Sequence, residues 1–101
     1  MAKLTIEDLK AALKRLPDWQ LAQGREAISR KFQFVDFDAA FAFMTRAALL
    51  AAKMDHHPEW FNVYNRVDVT LATHDAGGVT QKDIDLAMAM DGYAALMMDK
   101  R

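Results

Sequence analysis

The 101-residue sequence has no cysteine, two prolines, four glycines and no excess of charge of one sign. Without cysteine there is no disulfide framework, no thiolate metal site and no cysteine nucleophile. The same absence fits a reducing compartment, and the cytoplasm is the expected location. Thirteen Lys and Arg residues against fourteen Asp and Glu give a formal net charge of -1. That balance provides no basic field for a phosphate backbone, so direct contact with nucleic acid is not expected. No apolar run is longer than the six residues of Ala47 to Ala52, far too few to span a bilayer, and no membrane association is expected. Met1 to Thr5 shows no apolar segment of signal-peptide type. Ser29, the sole serine, lies in a predicted strand far from the histidines and makes a poor nucleophile.

What remains is apolar: 52% of the residues are hydrophobic and 10% aromatic, enough for one folded domain over residues 1–101 and against disorder. A core this small, without a disulfide, makes oligomerisation the natural reinforcement. Thr5 and Asp8 read as a helix N-cap, with Leu4 and Leu9 as its hydrophobic staple. Ile6, Leu9, Leu13 and Leu16 keep helical spacing until Pro17. Trp19 and Leu21 alternate as a short strand, and Gln23-Gly24 turns the chain into a second. Ile28, Phe32 and Phe34 share a face of that second strand, interrupted by Arg30.

Asp36 caps a central helix reaching about Met54. Its apolar residues form two stripes, one of Phe37, Phe41, Met44, Ala48 and Ala51, the other of Phe43, Ala47, Leu50 and Met54. A helix apolar on two sides needs two neighbours. Self-association through helix 36–54, as a dimer or tetramer, is therefore expected, with the Phe43/Leu50 stripe facing the other subunit. A helix sunk in a wide groove of its own domain is the alternative. Trp60–Asn65 and Val67–Thr73 form a hairpin, and Thr80 with Asp83 repeats the capping signature before a last helix. The order α-β-β-α-β-β-α predicts an α+β fold, a four-stranded antiparallel sheet with three helices on one face.

All three histidines, His56, His57 and His74, fall at the end of the central helix and around the hairpin. A hairpin symmetric about Asn65 and Arg66 sets His57 opposite His74 and Trp60 opposite Leu71, with opposed Cβ atoms about 5 Å apart. Imidazoles exchange protons near neutral pH, and two in one pocket can divide acid and base roles. The alternative is that they only satisfy helix and strand ends. A metal site is disfavoured, because adjacent His56 and His57 are awkward as joint ligands and nothing completes a tetrahedral set.

Asp55-His56-His57-Pro58-Glu59-Trp60-Phe61-Asn62-Val63-Tyr64-Asn65, followed by Thr73-His74-Asp75, Gly77-Gly78, Thr80 and Asp83, closely resembles the pterin-4a-carbinolamine dehydratases. Phe43-Met44-Thr45-Arg46 is similar to that family's central helix. The resemblance implies a hydro-lyase that removes water from a 4a-hydroxytetrahydropterin, giving the quinonoid dihydropterin recycled for aromatic amino-acid hydroxylation. It implies no metal and no second cofactor. Matching positions make His56, His57 and His74 the acid-base set and Asp55, Trp60, Thr73 and Asp83 substrate-side residues. Many relatives carry a glutamate where this chain has Ala52, which bears on rate. The family is also similar to a dimerisation cofactor of a homeodomain transcription factor, so an oligomer-stabilising partner without catalysis, or a pterin-binding module, are the other readings.

Overall fold

The computed structural model describes residues 2–98. Met1 and residues 99–101, the outermost part of the domain expected over 1–101, lie outside the described residues. The elements are α1 (Ile6–Lys14), β1 (Gln20–Leu21), β2 (Ile28–Gln33), α2 (Phe37–Met54), β3 (Glu59–Val63), β4 (Arg66–Leu71), a single 3₁₀ turn (His74–Ala76) and α3 (Gln81–Met98). The fold is α+β in the expected order, and the strands form one antiparallel sheet ordered β1-β2-β4-β3.

Local signals account for the helix ends. The Thr5 side chain accepts the Asp8 amide at 3.1 Å, and Leu4 and Leu9 pack against the core beside it. Asp36 caps α2 by accepting the Ala39 amide at 2.9 Å. The strands then alternate. Ile28 and Phe32 on β2 and Val67, Val69 and Leu71 on β4 are buried against the three helices, while Lys31, Asp68 and Thr70 turn to the open face. Phe43 of α2 sits on this layer with ring centroids 4.6 Å from Phe32 and 5.1 Å from Phe34. Burying one such ring contributes about 2–3 kcal/mol.

Three expectations change. Arg30 does face the helices, but it does not break the apolar face. Its guanidinium lies over Phe32 at 4.1 Å and donates to Asp91 Oδ1 of α3 at 2.6 Å, an oxygen that also accepts the Trp19 indole N–H at 2.8 Å. The hairpin register is shifted by two residues: Glu59 opposes Thr70 and Trp60 opposes Val69, so Trp60 does not face Leu71. The turn falls on Tyr64 and Asn65, with Tyr64 at φ 51° and the Asn62 side chain donating to the carbonyls of Tyr64 and Arg66. A shift of two preserves which face each side chain occupies.

The third change concerns α2. Phe43 and Ala47 are wholly buried in the chain's own core, so the Phe43 stripe is the inward one. The other stripe is divided: Phe37 and Phe41, 44% and 54% exposed and stacked at 5.7 Å, face outward with Ala48, while Met44 packs on the core and Ala51 is buried. No helix among the described residues is long and apolar enough to cross a membrane.

Candidate active site

The site forms where α2 ends, β4 ends and α3 begins. Asp55 terminates α2 in the left-handed conformation, φ 53°, with its amide hydrogen-bonded back to Ala51 and Ala52. The His56 amide follows to Ala51 O at 3.0 Å. This tight reversal swings His56 inward beneath the helix and leaves His57 outside. After β4 the chain closes a loop through the Thr73–Gly78 bridge, with Gly77 at φ 74°. His74 opens the 3₁₀ turn inside that loop, so it does not stand on β4 opposite His57 as the symmetric hairpin required.

A cleft of about 380 Å³ lies between these segments, lined by five expected residues, Asp55, His56, His57, Thr73 and His74, with Ala72, Asp75 and Lys82. Asp83 stands behind the wall, fully buried on the first turn of α3. Its Oδ1 is 2.5 Å from His56 Nε2. Its Oδ2 accepts the Thr73 hydroxyl at 2.8 Å and the Thr80 amide at 2.9 Å. Because Thr73 gives its only hydroxyl hydrogen to Asp83, the Thr80 hydroxyl, 2.7 Å away, donates to Thr73. The Thr80/Asp83 pair thus forms only the carboxylate half of the expected capping box, and the Thr80 hydroxyl is spent on the site instead.

With a carboxylate acceptor at Nε2, the neutral His56 imidazole carries its proton there and keeps Nδ1 as its free acceptor. His57 and His74 are exposed at the mouth. The arrangement provides one buried, fixed imidazole and two solvent-accessible ones around one volume, with carboxylates of Asp55 and Asp75 and the Lys82 amine on the rim.

Trp60 is not brought into this cleft. It is half-buried against the core and borders a shallow depression with Glu59, Phe61, Asp68 and Thr70. Ala52 is exposed on the last turn of α2 and does not line the cleft either. Sequence reasoning missed Lys82, which no spacing separates from ordinary surface charges, and gave Asp75 of the Thr73-His74-Asp75 step no role. It also missed Arg25, whose guanidinium grips Glu59 in a fork, Nη1 to Oε1 at 2.7 Å and Nη2 to Oε2 at 2.8 Å. The Glu59 carboxyl is held below its usual value first by the Arg25 hydrogen bonds, against an opposing cost of burial, and further by the charges of Arg25 and His74. Among the described residues, no three His, Asp or Glu side chains are grouped so as to hold a metal ion.

A small α+β domain with a histidine-walled cleft at one end of its sheet is the class these features define. The family model for pterin 4 alpha carbinolamine dehydratase matches residues 2–93, and the chain belongs to that family. A protein of Burkholderia multivorans named "Putative pterin-4-alpha-carbinolamine dehydratase" is 60% identical over 93 residues, 92% of this chain and 91% of the relative. A protein of the same name from Rhodopseudomonas palustris is 63% identical over 93 residues, 92% of each chain. The crystal structure of a transcriptional coactivator/pterin dehydratase from Brucella melitensis superposes with a TM-score of 0.89 at 58% identity, covering 91% of this chain and 98% of that one.

Proposed function

We propose that the chain dehydrates a 4a-hydroxytetrahydropterin by histidine acid-base catalysis, as part of tetrahydrobiopterin recycling in the cytoplasm. The observation that carries this reading is the His56–Asp83 pair standing behind a cleft walled by two further imidazoles. Loss of water from the carbinolamine needs one proton removed at N5 and one delivered to the 4a-hydroxyl. The N5–H electrons form the N5–C4a double bond, the C4a–O bond breaks and water departs, with no net change in protons. His56 Nδ1 receives the N5 proton, since Asp83 fixes the opposite edge of the ring and stabilises the imidazolium that results. His57 and His74, accessible from solvent, serve the hydroxyl side. Asp55 and Thr73 line the cleft and belong to the substrate side, whereas Asp83 acts through His56. Trp60 makes its contribution as a core aromatic.

The test is a stopped-flow assay of carbinolamine dehydration, counting only rate above the spontaneous reaction. His57→Ala and His74→Ala are each expected to lose about 10²–10⁴-fold in turnover with an unchanged melting temperature, both side chains being exposed. Equal losses of melting temperature and turnover would sink the catalytic assignment. No acceleration by the wild type, with pterin still bound, would make the chain a pterin-binding module.

A second reading, an oligomer-stabilising partner, is favoured by one observation: Phe37 and Phe41 stand exposed on α2 of a single chain. Covering them in a dimer or tetramer serves either reading. Phe41→Asp is expected to lower the oligomeric state in sedimentation while leaving the chain folded, whereas Phe43→Asp unfolds it. An unchanged sedimentation profile for Phe41→Asp would remove α2 as the interface.

A further inference from the structure

The two glycines that follow the His74 turn are there for different reasons. Gly77 turns the chain at φ 74°, whereas Gly78 does not use a positive φ. It is kept bare by a close approach. A Cβ at Gly78 would stand 2.9 Å from Lys3 Cδ and 3.1 Å from Glu26 Oε1, inside the roughly 3.5 Å at which carbon atoms pack. Those two side chains form an ion pair, Lys3 Nζ to Glu26 Oε1 at 2.6 Å, that lies against the open side of Gly78. One residue on, the Leu4 amide donates to the Val79 carbonyl at 2.7 Å, and both side chains pack on the core. Residues 3–4 therefore fasten the segment 78–80 from outside.

The same segment holds the cleft wall from inside. The Gly78 carbonyl accepts the Thr73 amide at 2.8 Å, and the Thr80 hydroxyl donates to Thr73 Oγ1 at 2.7 Å. Gly78 and Thr80 are buried, so Thr73 takes its place from a segment that cannot shift freely. Glu26 and Gly78 also share a cavity of about 210 Å³ with Ala72, Thr73 and His74, the back of that wall. Resting on the dehydratase reading only for its catalytic consequence, we propose that Lys3 is a positioning residue for Thr73: paired with Glu26 over Gly78, it straps the segment 78–80 and keeps the Thr73–Gly78 bridge shut. Both charged side chains are about half exposed or more, and such a pair adds little to global stability. Its effect falls on local opening of the loop, where a small increment is a large share. A methyl group at residue 78 cannot coexist with the pair, and the flexible lysine is the member that gives way.

The test is hydrogen exchange of the Thr73 amide in the full chain, with amides of α2 as the reference. Lys3→Ala is expected to speed Thr73 exchange by on the order of threefold, the range of an exposed ion pair, and to leave α2 unchanged. Gly78→Ala should do the same by expelling Lys3. The Lys3→Ala/Gly78→Ala double variant should then exchange no faster than either single variant, and Lys3→Arg, still able to pair, should match the wild type. In the carbinolamine assay Lys3→Ala should raise KM by about threefold, with kcat within about twofold and the melting temperature within about 2 °C of wild type. Unchanged Thr73 exchange in Lys3→Ala, multiplied effects in the double variant, or faster exchange with KM unmoved would each overturn the proposal. Exchange needs no substrate, so the expected exchange pattern without dehydration would refute the catalytic reading and leave the strap standing.

Discussion

Two carboxylates on α3, eight residues apart, are both drawn into the protein, and they are used differently. Asp91 accepts from Arg30 and the Trp19 indole, and those partners tie the β1–β2 hairpin to the helix. Neither partner titrates near neutral pH, so the cluster has no proton to exchange. Asp83 accepts from an imidazole, a hydroxyl and an amide, and the imidazole faces a cleft. Burial and hydrogen bonding are therefore shared by both sites. What sets the Asp83 site apart is an imidazole partner, a type of group whose proton can leave near neutral pH.

The comparison predicts a graded set of effects. The largest is for Asp83→Asn, which keeps the shape but loses the anion behind His56. Turnover should fall by about 10–100-fold, and the side-chain amide, facing donors, should also lower the melting temperature by several degrees. Asp91→Asn should show the reverse weighting, a loss of about 1–3 kcal/mol seen as a melting temperature roughly 5–15 °C lower, with turnover within about twofold of wild type. If Asp91→Asn loses turnover as Asp83→Asn does, the distinction between the two carboxylates is broken. The smallest effect belongs to Glu59. Its folded carboxyl sits below the ordinary 4.5, so the stability it adds is present above that pH and disappears as pH falls through the lowered value. Thermal melts of wild type and Glu59→Gln should differ slightly at pH 7 and converge in acid.

Much of this was legible in the sequence because it is written locally. Thr5, Asp36 and the alternation of Val67, Val69 and Leu71 each act within a few residues, and the element order follows from them. The family resemblance pointed to His56, His57, Thr73 and His74, which line the cleft, and also to Trp60, which does not. The register of the hairpin was not legible, since the turn sets a tyrosine at positive φ where asparagine was the better candidate, and Asn65 is instead held by bonds to Phe34. Which stripe of α2 faces inward was not legible either. Both stripes are apolar, and the tilted ring contacts of Phe43 with Phe32 and Phe34 decide it. The Arg25–Glu59 fork joins residues 34 apart, beyond any local pattern.

Asp55 carries a consequence of its own. It ends α2 at φ 53°, a conformation that glycine adopts with roughly 1 kcal/mol less strain, yet its carboxylate lines the cleft. Backbone strain favours glycine at this position, while the charge on the cleft wall requires the aspartate. A laboratory lineage evolved for thermal survival alone should drift toward glycine at residue 55, and one evolved for turnover should hold the aspartate.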